Sequence, residues 1–251
     1  MTLINDILEF TESFAPSDSA ASFDNVGLLV GSGTTSVSKA LLALDITKEV
    51  VKEAAEIGAQ LIVSHHPVIF NPLKSMSKDS VPYLLAQNSL SALCLHTNLD
   101  IAWDTGVNLC LANALELENI TFYEGEFLVS GKLREEVSAE KFAKLVKKTL
   151  GAQFVTCTLK DNKVQTVFMC SGAGGSEFLK ACELGADVFL TGEAHHHNYL
   201  ESIHENVPLV VAGHFETEDV VIEPLREKLS KAFPEVEFVK STALASPLNF
   251  I

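Results

Sequence analysis

The 251-residue sequence predicts an α/β fold made of two similar, intertwined α/β units with mostly parallel sheets. The first observation is that apolar runs of strand length alternate with amphipathic helical patterns from residue 40 onward. The alternation starts again near residue 163, and the two halves share one similar line of sequence. Because strands that are buried on both faces read as continuous apolar runs, this alternation is typical of βαβ units.

In the first half, turn and stop residues divide the pattern into elements. Gly58 suits the end of a helix, and Pro82 suits the first turn of another, where an N–H group is not needed. The predicted strands cover 40–47, 60–64 and 91–98, and the predicted helices cover 48–59, 81–90 and 106–117.

The second half repeats this order. A strand at 163–170 is followed by a glycine loop, SGAGG, at 171–175. The last amphipathic stretch, 216–233, is long enough for one continuous helix. The other predicted elements are helices at 176–186 and 197–205 and strands at 187–191 and 207–213.

The line shared by the halves is EIGAQLIVSHH at 56–66 and ELGADVFLTGE at 183–193. Both contain Glu, an aliphatic residue, Gly-Ala, one polar residue, three apolar residues and a hydroxyl residue. Each line joins a helix to the following strand. We interpret the similarity as an internal duplication of a βαβαβ unit, with chance similarity of two such junctions as the alternative.

This interpretation divides the chain into a first unit at 1–120 and a second at 121–251. Whether the C-terminal helix region packs on the first unit is left open. The second unit includes a small α+β segment at 127–160, in which Ser138 can cap a helix. The apolar stripe of that helix includes Phe142, Leu145 and Val146.

Composition argues against several classes of protein. A formal net charge of −15 disfavours binding to nucleic acid or to anionic membranes, both of which need a basic surface. No run approaches the roughly 18 apolar residues of a membrane span, and the N-terminus lacks the basic region of a signal peptide. Five cysteines without Cys-x-x-Cys spacing fit reduced thiols, so we expect a cytoplasmic protein.

Polar residues follow the predicted strands at their carboxyl ends, where open parallel sheets bind ligands. His65 and His66 follow the second strand, and Asp100 follows the third. His214 and Glu218 stand four residues apart where the last strand meets a helix, which places both side chains on one side of that helix.

Imidazole and carboxylate are usual ligands of zinc, manganese and iron. Five such donors exceed what a mononuclear site with an open position requires, and they suit two metal ions roughly 3.5–4 Å apart. Each residue also has a plain structural interpretation, namely a hydrogen-bonded histidine, a turn aspartate or a first-turn glutamate. The predicted ligands are His65, His66, Asp100, His214 and Glu218.

Other residues rank below this set. Glu193 aligns with His66 in the duplication and is a candidate general base or a carboxylate that supports a ligand. His96 is a candidate base, ligand or partner of a ligand. Asp45 can orient a ligand histidine. The run HHH at 195–197 is interpreted as exposed or supporting histidines, and the SGAGG loop as a tight turn rather than a phosphate nest.

Four motifs, SHHP at 64–67, HTNLD at 96–100, TGE at 191–193 and GHFETE at 213–218, resemble the Ngg-interacting-factor-like family. The opening FDNVGLLVGS at 23–32 is similar to its N-terminal signature. Members are often catalogued as GTP cyclohydrolase 1 type 2 homologues, and this chain resembles their short form. The resemblance implies a dinuclear metal centre at the five predicted ligands and a ring-shaped homohexamer.

These observations lead to two hypotheses of function. The first is a metal-dependent hydrolase of a small, nucleotide-like molecule, with two divalent ions (zinc, manganese, iron, nickel or cobalt) per chain. The alternative is a metal-binding scaffold, chaperone or regulatory interaction protein without catalysis. The cyclohydrolase label rests on resemblance alone, because the ligand types do not select among a purine ring, a phosphoester and an amide.

Overall fold

The computed structural model describes residues 1–248 and divides the chain into two compact units. The first unit comprises Met1–Thr105 together with Ile222–Ala245, and the second comprises Gly106–Val221 together with the described residues from Ser246 onward. The chain therefore leaves the first unit and returns to it, which is the intertwining that the fold class predicted.

The first unit contains a five-stranded sheet in the order β13-β4-β5-β6-β2. Four neighbouring strands run parallel, and β2 pairs with β6 in the antiparallel sense. Its strands are β1 (Thr2–Leu3), β2 (Gly27–Val30), β3 (Ser36–Val37), β4 (Lys39–Ala43), β5 (Leu61–Ser64), β6 (Ser91–Cys94) and β13 (Glu237–Lys240). Its helices are α1 (Ile4–Glu12), α2 (Lys48–Glu56), α3 (Val81–Gln87), α4 (Thr97–Asp100) and α10 (Ile222–Ala232).

The second unit contains a six-stranded sheet in the order β7-β8-β10-β11-β12-β9. Its three strands β10, β11 and β12 are parallel, and β9 pairs with β12 in the antiparallel sense. Its strands are β7 (Glu118–Phe122), β8 (Val129–Ser138), β9 (Thr156–Cys157), β10 (Lys163–Cys170), β11 (Val188–Thr191) and β12 (Leu209–Val211). Its helices are α5 (Val107–Ala114), α6 (Ala139–Thr149), α7 (Phe178–Glu183), α8 (His196–Glu205) and α9 (His214–Glu218).

The two units share a scaffold, as the duplication predicted. In each, a run of parallel strands, four in the first unit and three in the second, is flanked on one side by an antiparallel edge strand, β2 in the first unit and β9 in the second. The helix before the central strand ends on a glycine in the left-handed region, Gly58 with φ 71° and Gly185 with φ 94°. The next residue closes the turn in both units, because Ala59 N–H donates to Ala54 O and Ala186 N–H donates to Ala181 O.

The boundaries of the units differ from those inferred from sequence, which placed the division between residues 120 and 121. Helix α5 lies in the second unit because its apolar residues Leu111 and Ala112 join the core of that unit. Helix α10 and strand β13 lie in the first unit, where β13 extends the sheet beside β4. The last three residues of the predicted second unit, 249–251, lie outside the described residues.

The predicted helix at 216–233 is wrong as a single element. Helix α9 ends at Glu218, a 3₁₀ turn covers Asp219–Val221, and α10 begins at Ile222. Pro224 explains the break, because proline lacks the N–H group that a continuous helix would need and is tolerated only in a first turn. The strand predicted at 91–98 also ends early, at Cys94, and α4 follows it.

In the 127–160 segment, Ser138 caps α6 as predicted, accepting a hydrogen bond from Lys141 N–H at 3.2 Å. Phe142 and Val146 are fully buried, whereas Leu145 is 39% exposed, so the predicted stripe was too wide by one residue. Among the described residues, no helix combines the length and the apolar character that crossing a membrane requires.

Candidate metal centre

In the first unit, two adjacent histidines follow the central strand β5, and each is held through its Nδ1 atom. The ring of His65 is fully buried, and its Nδ1 lies 2.8 Å from the carbonyl oxygen of Leu95. The Nδ1 of His66 lies 2.7 Å from Oδ1 of Asp45, which follows the neighbouring strand β4. This contact supports the role of an orienting residue that the sequence suggested for Asp45.

These contacts fix the tautomers of both rings. A carbonyl oxygen can only accept, so His65 Nδ1 carries the proton and Nε2 carries the lone pair when the ring is neutral. A carboxylate beside His66 Nδ1 has the same effect. Histidines that bind metals are held in this way, with the second nitrogen donating to a carbonyl or carboxylate. The donor chemistry of this pair therefore fits a divalent metal ion.

A third histidine belongs to the same group in the first unit. One nitrogen each of His65, His66 and His96 lies within 4.8 Å of the other two, and the ring centroids are 5.0–5.5 Å apart. His96 Nδ1 lies 2.8 Å from Oδ1 of Asp24. We call these three residues the histidine cluster.

Asp24 was not singled out from the sequence, although it lies within the quoted N-terminal signature. Its side chain is completely shielded from solvent, and its second oxygen accepts hydrogen bonds from the backbone and hydroxyl of Thr97. Burial raises the pKa of Asp24, but the hydrogen bonds from Thr97 and His96 outweigh burial, so the pKa lies below its ordinary value. Asp24 is therefore a carboxylate that holds the ring of His96.

Asp100, the predicted carboxylate ligand of the first unit, ends the short helix α4. Its Oδ1 lies 3.5 Å from His65 Nε2, the nitrogen that carries the lone pair. Two lone-pair atoms at this separation repel each other unless a proton or a cation lies near them. This arrangement is compatible with a shared metal ion.

In the second unit, His214 and Glu218 lie on α9, one turn apart. His214 Nε2 is 3.1 Å from Oε2 of Glu218, and His214 Nδ1 is 3.1 Å from Oε1 of Glu193. Glu193, a candidate base from the sequence, thus takes the position of an orienting carboxylate beside His214. Glu218 is 4% exposed, so its carboxylate is kept almost entirely from water.

Gly172 makes room for the Glu218 carboxylate. A Cβ atom at this position would lie 1.9 Å from Glu218 Oε1 and 3.1 Å from His214 Nε2, and its φ of 56° already favours glycine. The SGAGG loop that contains it turns from β10 into a short 3₁₀ segment, Gly174–Glu177. Its observed role is therefore that of a tight turn that shapes the site.

A cavity of about 480 Å³ lies beside Glu193 within the second unit. Its polar lining comes from Ser176, Glu193, His195 and Tyr199. His195 stacks on His197, with ring centroids 5.6 Å apart, and the three histidines of the HHH run are exposed, as predicted.

Comparisons with known proteins bear on the family and the fold of the chain. A family model described as Duf34/NIF3 (NGG1p interacting factor 3) matches residues 2–247. A Clostridium perfringens protein named GTP cyclohydrolase 1 type 2 homolog is 31% identical over 99% of both chains. A Drosophila melanogaster protein named NIF3-like protein 1 is 30% identical over 97% of this chain and 90% of its own. The crystal structure of a hypothetical Staphylococcus aureus protein superposes with a TM-score of 0.94 at 27% identity, covering 100% of this chain and 99% of that one.

Proposed function

Because the chain belongs to the Duf34/NIF3 family, as its motifs indicated, we propose that it is a metal-dependent hydrolase with two divalent ions bound by the five predicted ligands. The first unit would supply His65, His66 and Asp100. The second unit would supply His214 and Glu218.

The observation that carries the proposal is the state of the histidines in the first unit. His65 and His66 both have Nδ1 held by an acceptor, so each is left with an Nε2 lone pair. A structural histidine needs only one such contact to be satisfied. Two neighbouring rings fixed in the same tautomer, within 4.8 Å of a third, match the requirements of metal ligands better than those of a packed core.

The second unit supports the proposal through its own donors. His214 Nδ1 is held by Glu193, and Glu218 is a nearly buried carboxylate next to the other ring nitrogen. Burial of a carboxylate is costly unless a cation or several hydrogen bonds compensate for it. A metal ion held by Glu218 and His214 would add to the compensation that the neighbouring imidazole gives.

When bound, the metal ions would lower the pKa of water and polarise the bond to be cleaved. The chain's own residues would then manage the proton. His96, held by Asp24, is the candidate that accepts a proton at Nε2, because its Nδ1 is already engaged. Glu193 would keep His214 in its metal-binding orientation and, being 59% exposed, could exchange protons with solvent.

We further propose a small-molecule substrate, a ring-shaped homohexamer and a cytoplasmic location. The substrate proposal is supported by the cavity beside Glu193 and by the name GTP cyclohydrolase 1 type 2 homolog of the C. perfringens relative. The hexamer and the cytoplasmic location rest on the sequence resemblance and on the cysteine pattern, respectively.

The first experiment is elemental analysis of the untagged protein. We expect close to two divalent ions per chain, and loss of most of this metal in a His66→Ala, Glu218→Ala double variant that still folds. A matched control is His204→Ala, Glu205→Ala, which removes the same residue types from the exposed end of α8. Equal metal content in the three proteins would contradict the proposal.

A hydrolase screen follows with GTP, a phosphodiester and an amide as substrates. Turnover should disappear on chelation and in Glu218→Ala, and it should return when metal is restored to the wild type only. Turnover that persists in the chelated protein would rule out the metal-dependent mechanism.

The alternative is a metal-binding scaffold or interaction protein. It is favoured by the family description, NGG1p interacting factor 3, which records an interaction rather than a reaction. A fully metal-loaded protein that turns over none of the three substrate classes, and whose metal ions exchange no bound water, would favour this alternative over the hydrolase.

A further inference from the structure

Two exposed phenylalanine rings lie beside the histidine cluster of the first unit. Phe23 is 67% exposed and Phe70 is 43% exposed. Their ring centroids are 6.3 Å apart, with the planes inclined at 49°. Single exposed apolar side chains are common, but two adjacent aromatic rings form a small apolar surface that favours contact with another molecule.

The two phenylalanine rings are linked to the histidine cluster by one direct ring contact and by hydrogen bonds of neighbouring residues. The edge of Phe70 meets His96 at a centroid distance of 6.2 Å and an interplanar angle of 83°. Phe23 directly precedes Asp24, the residue that holds His96. The next residue, Asn25, donates from Nδ2 to the carbonyl oxygen of Ile69 at 2.5 Å, which links the segments that carry the two rings.

We propose that Phe23 and Phe70 form a stacking platform for a planar heteroaromatic ring of the substrate. The inference rests on the proposed function, because it assigns a substrate class to the same site. Aromatic pairs prefer offset or inclined arrangements with centroids 4.5–7 Å apart, and the spacing and inclination of Phe23 and Phe70 fall in that range. Because both side chains are exposed, a third ring can be added to them in an arrangement of the same kind.

The surroundings of the platform select for this ligand chemistry. On one side the platform borders His96, a polar ring that belongs to the histidine cluster. A heteroaromatic ring has apolar faces for the phenylalanines and polar edges for the imidazole of His96, whose side chain is partly exposed. An aliphatic chain would cover that imidazole without offering it a hydrogen-bonding partner, which is unfavourable.

A second copy of this chain is the competing occupant. A stable protein interface buries roughly 800 Å² per partner, whereas a fully buried aromatic side chain contributes about 150–250 Å². Two half-exposed rings therefore supply only part of an interface, but their area is sufficient for one planar ring.

The test uses guanosine and cytidine as ring-containing probes and ribose as the probe without a ring, with calorimetric binding to the metal-loaded protein. We expect both nucleosides to bind more tightly than ribose. Phe70→Leu and Phe23→Leu should each weaken nucleoside binding at least about fivefold, the lower end of measured losses of base stacking. Phe122→Leu, at a comparably exposed phenylalanine on β7 (37% exposed), should bind like the wild type.

The outcomes separate this inference from the proposed function. If neither nucleoside binds, if ribose binds as well as they do, or if Phe70→Leu binds like Phe122→Leu, the stacking platform is wrong while the metal content stands unaffected. Phe70-dependent nucleoside binding in a wild-type protein that takes up no metal would support the platform and contradict the metal-dependent function. A change of oligomeric state in the two variants with unchanged nucleoside binding would assign the rings to an interface between copies and overturn the proposal.

Discussion

The two units contain the same helix–glycine–strand junction, yet the side chains that follow the central strand differ. After β5 the chain continues with His65 and His66, whereas after β11 it continues with Gly192 and Glu193. In both units a carboxylate after one strand holds an imidazole that follows the next strand of the sheet. The pair is shifted by one strand, from β4 and β5 in the first unit to β11 and β12 in the second.

This shift indicates that the two units share a backbone scaffold but carry their carboxylate–imidazole pairs on different strands. In the first unit, Asp45 at the end of β4 holds His66 at the end of β5. In the second unit, Glu193 aligns with His66 in sequence. Its contact, however, corresponds to that of Asp45, because its carboxylate lies beside His214 at the start of α9. Equivalent positions therefore do not imply equivalent roles, and of the two roles that the sequence left open for Glu193, its contact with His214 favours that of a supporting carboxylate.

The largest expected effect concerns Gly192, the counterpart of His65. A Cβ atom there would lie 2.6 Å from Thr217 Oγ1, 2.7 Å from Gly172 O and 2.8 Å from His214 Cα, so α9 can take its place only because this residue is glycine. Since two of these atoms belong to the backbone, we expect Gly192→Ala to lower the free energy of unfolding by about 1–3 kcal/mol. Urea denaturation measures the change.

The control for this variant is Ser176→Ala, a small substitution at another residue that, like Gly192, lines the cavity beside Glu193. It should leave the unfolding midpoint nearly unchanged. Equal midpoints for Gly192→Ala and Ser176→Ala would mean that the second unit does not need glycine in place of the histidine, and the comparison of the two junctions would lose its physical basis.

The second prediction compares the two orienting carboxylates. Asp45→Asn and Glu193→Gln should each lower metal affinity about 10–100-fold, the usual loss when such a partner is removed. The larger loss is expected for Asp45, because its contact with the histidine is 2.7 Å long rather than 3.1 Å and its side chain is less exposed, at 44% rather than 59%.

Competition with a chromophoric chelator measures both affinities, and Asp79→Asn provides a control at an exposed aspartate of the same unit as Asp45. If Glu193→Gln matched the control while Asp45→Asn lost metal, the second unit would lack the carboxylate–histidine pairing that the comparison assigns to it.

Much of the fold followed from the sequence because its signals are local. Buried parallel strands appear as apolar runs, and Gly58 and Gly185 mark helix ends that the structure places in the left-handed region. The pairing of β13 with β4 could not be predicted in this way, because it depends on the chain returning to the first unit after more than a hundred residues.

The site was predictable to a similar extent. The positions of His65, His66 and His214 at strand ends follow from the alternation of strands and helices. The role of Asp24 does not, since it binds His96 across 72 positions of sequence and follows no strand of the periodic pattern. Long-range contacts of single side chains leave no periodic signal, so only the structure reveals them.

The third prediction tests that contact through its pH dependence. The pKa of Asp24 is lowered in the folded protein, so the carboxylate contributes stability above its unfolded pKa of about 3.9, and this stability is lost as the pH falls through the lower folded value. Asp24→Asn should therefore be less stable than the wild type at pH 6, by about 1–3 kcal/mol for a broken buried hydrogen-bond pair. The difference should narrow toward pH 3.

Urea denaturation at pH 6, 4.5 and 3 provides the measurement, with Asp18→Asn as a control at an exposed aspartate. A constant difference between Asp24→Asn and the wild type across this range would show that the loss comes from packing alone, without a contribution from the charge on Asp24.

The smallest effect tests the part of the duplication that the units share. At Gly58 and Gly185 an added Cβ would meet no atom within 4 Å, so substitution costs only the strain of a left-handed backbone. Alanine at either position should lower the free energy of unfolding by about 1–2 kcal/mol. Asparagine, which tolerates this conformation better, should cost less at both. If Gly185→Ala and Gly58→Ala differed in free energy of unfolding by more than about 1 kcal/mol, the width of the expected range, the two helix ends would not be equivalent. The shared scaffold would then be limited to the strands.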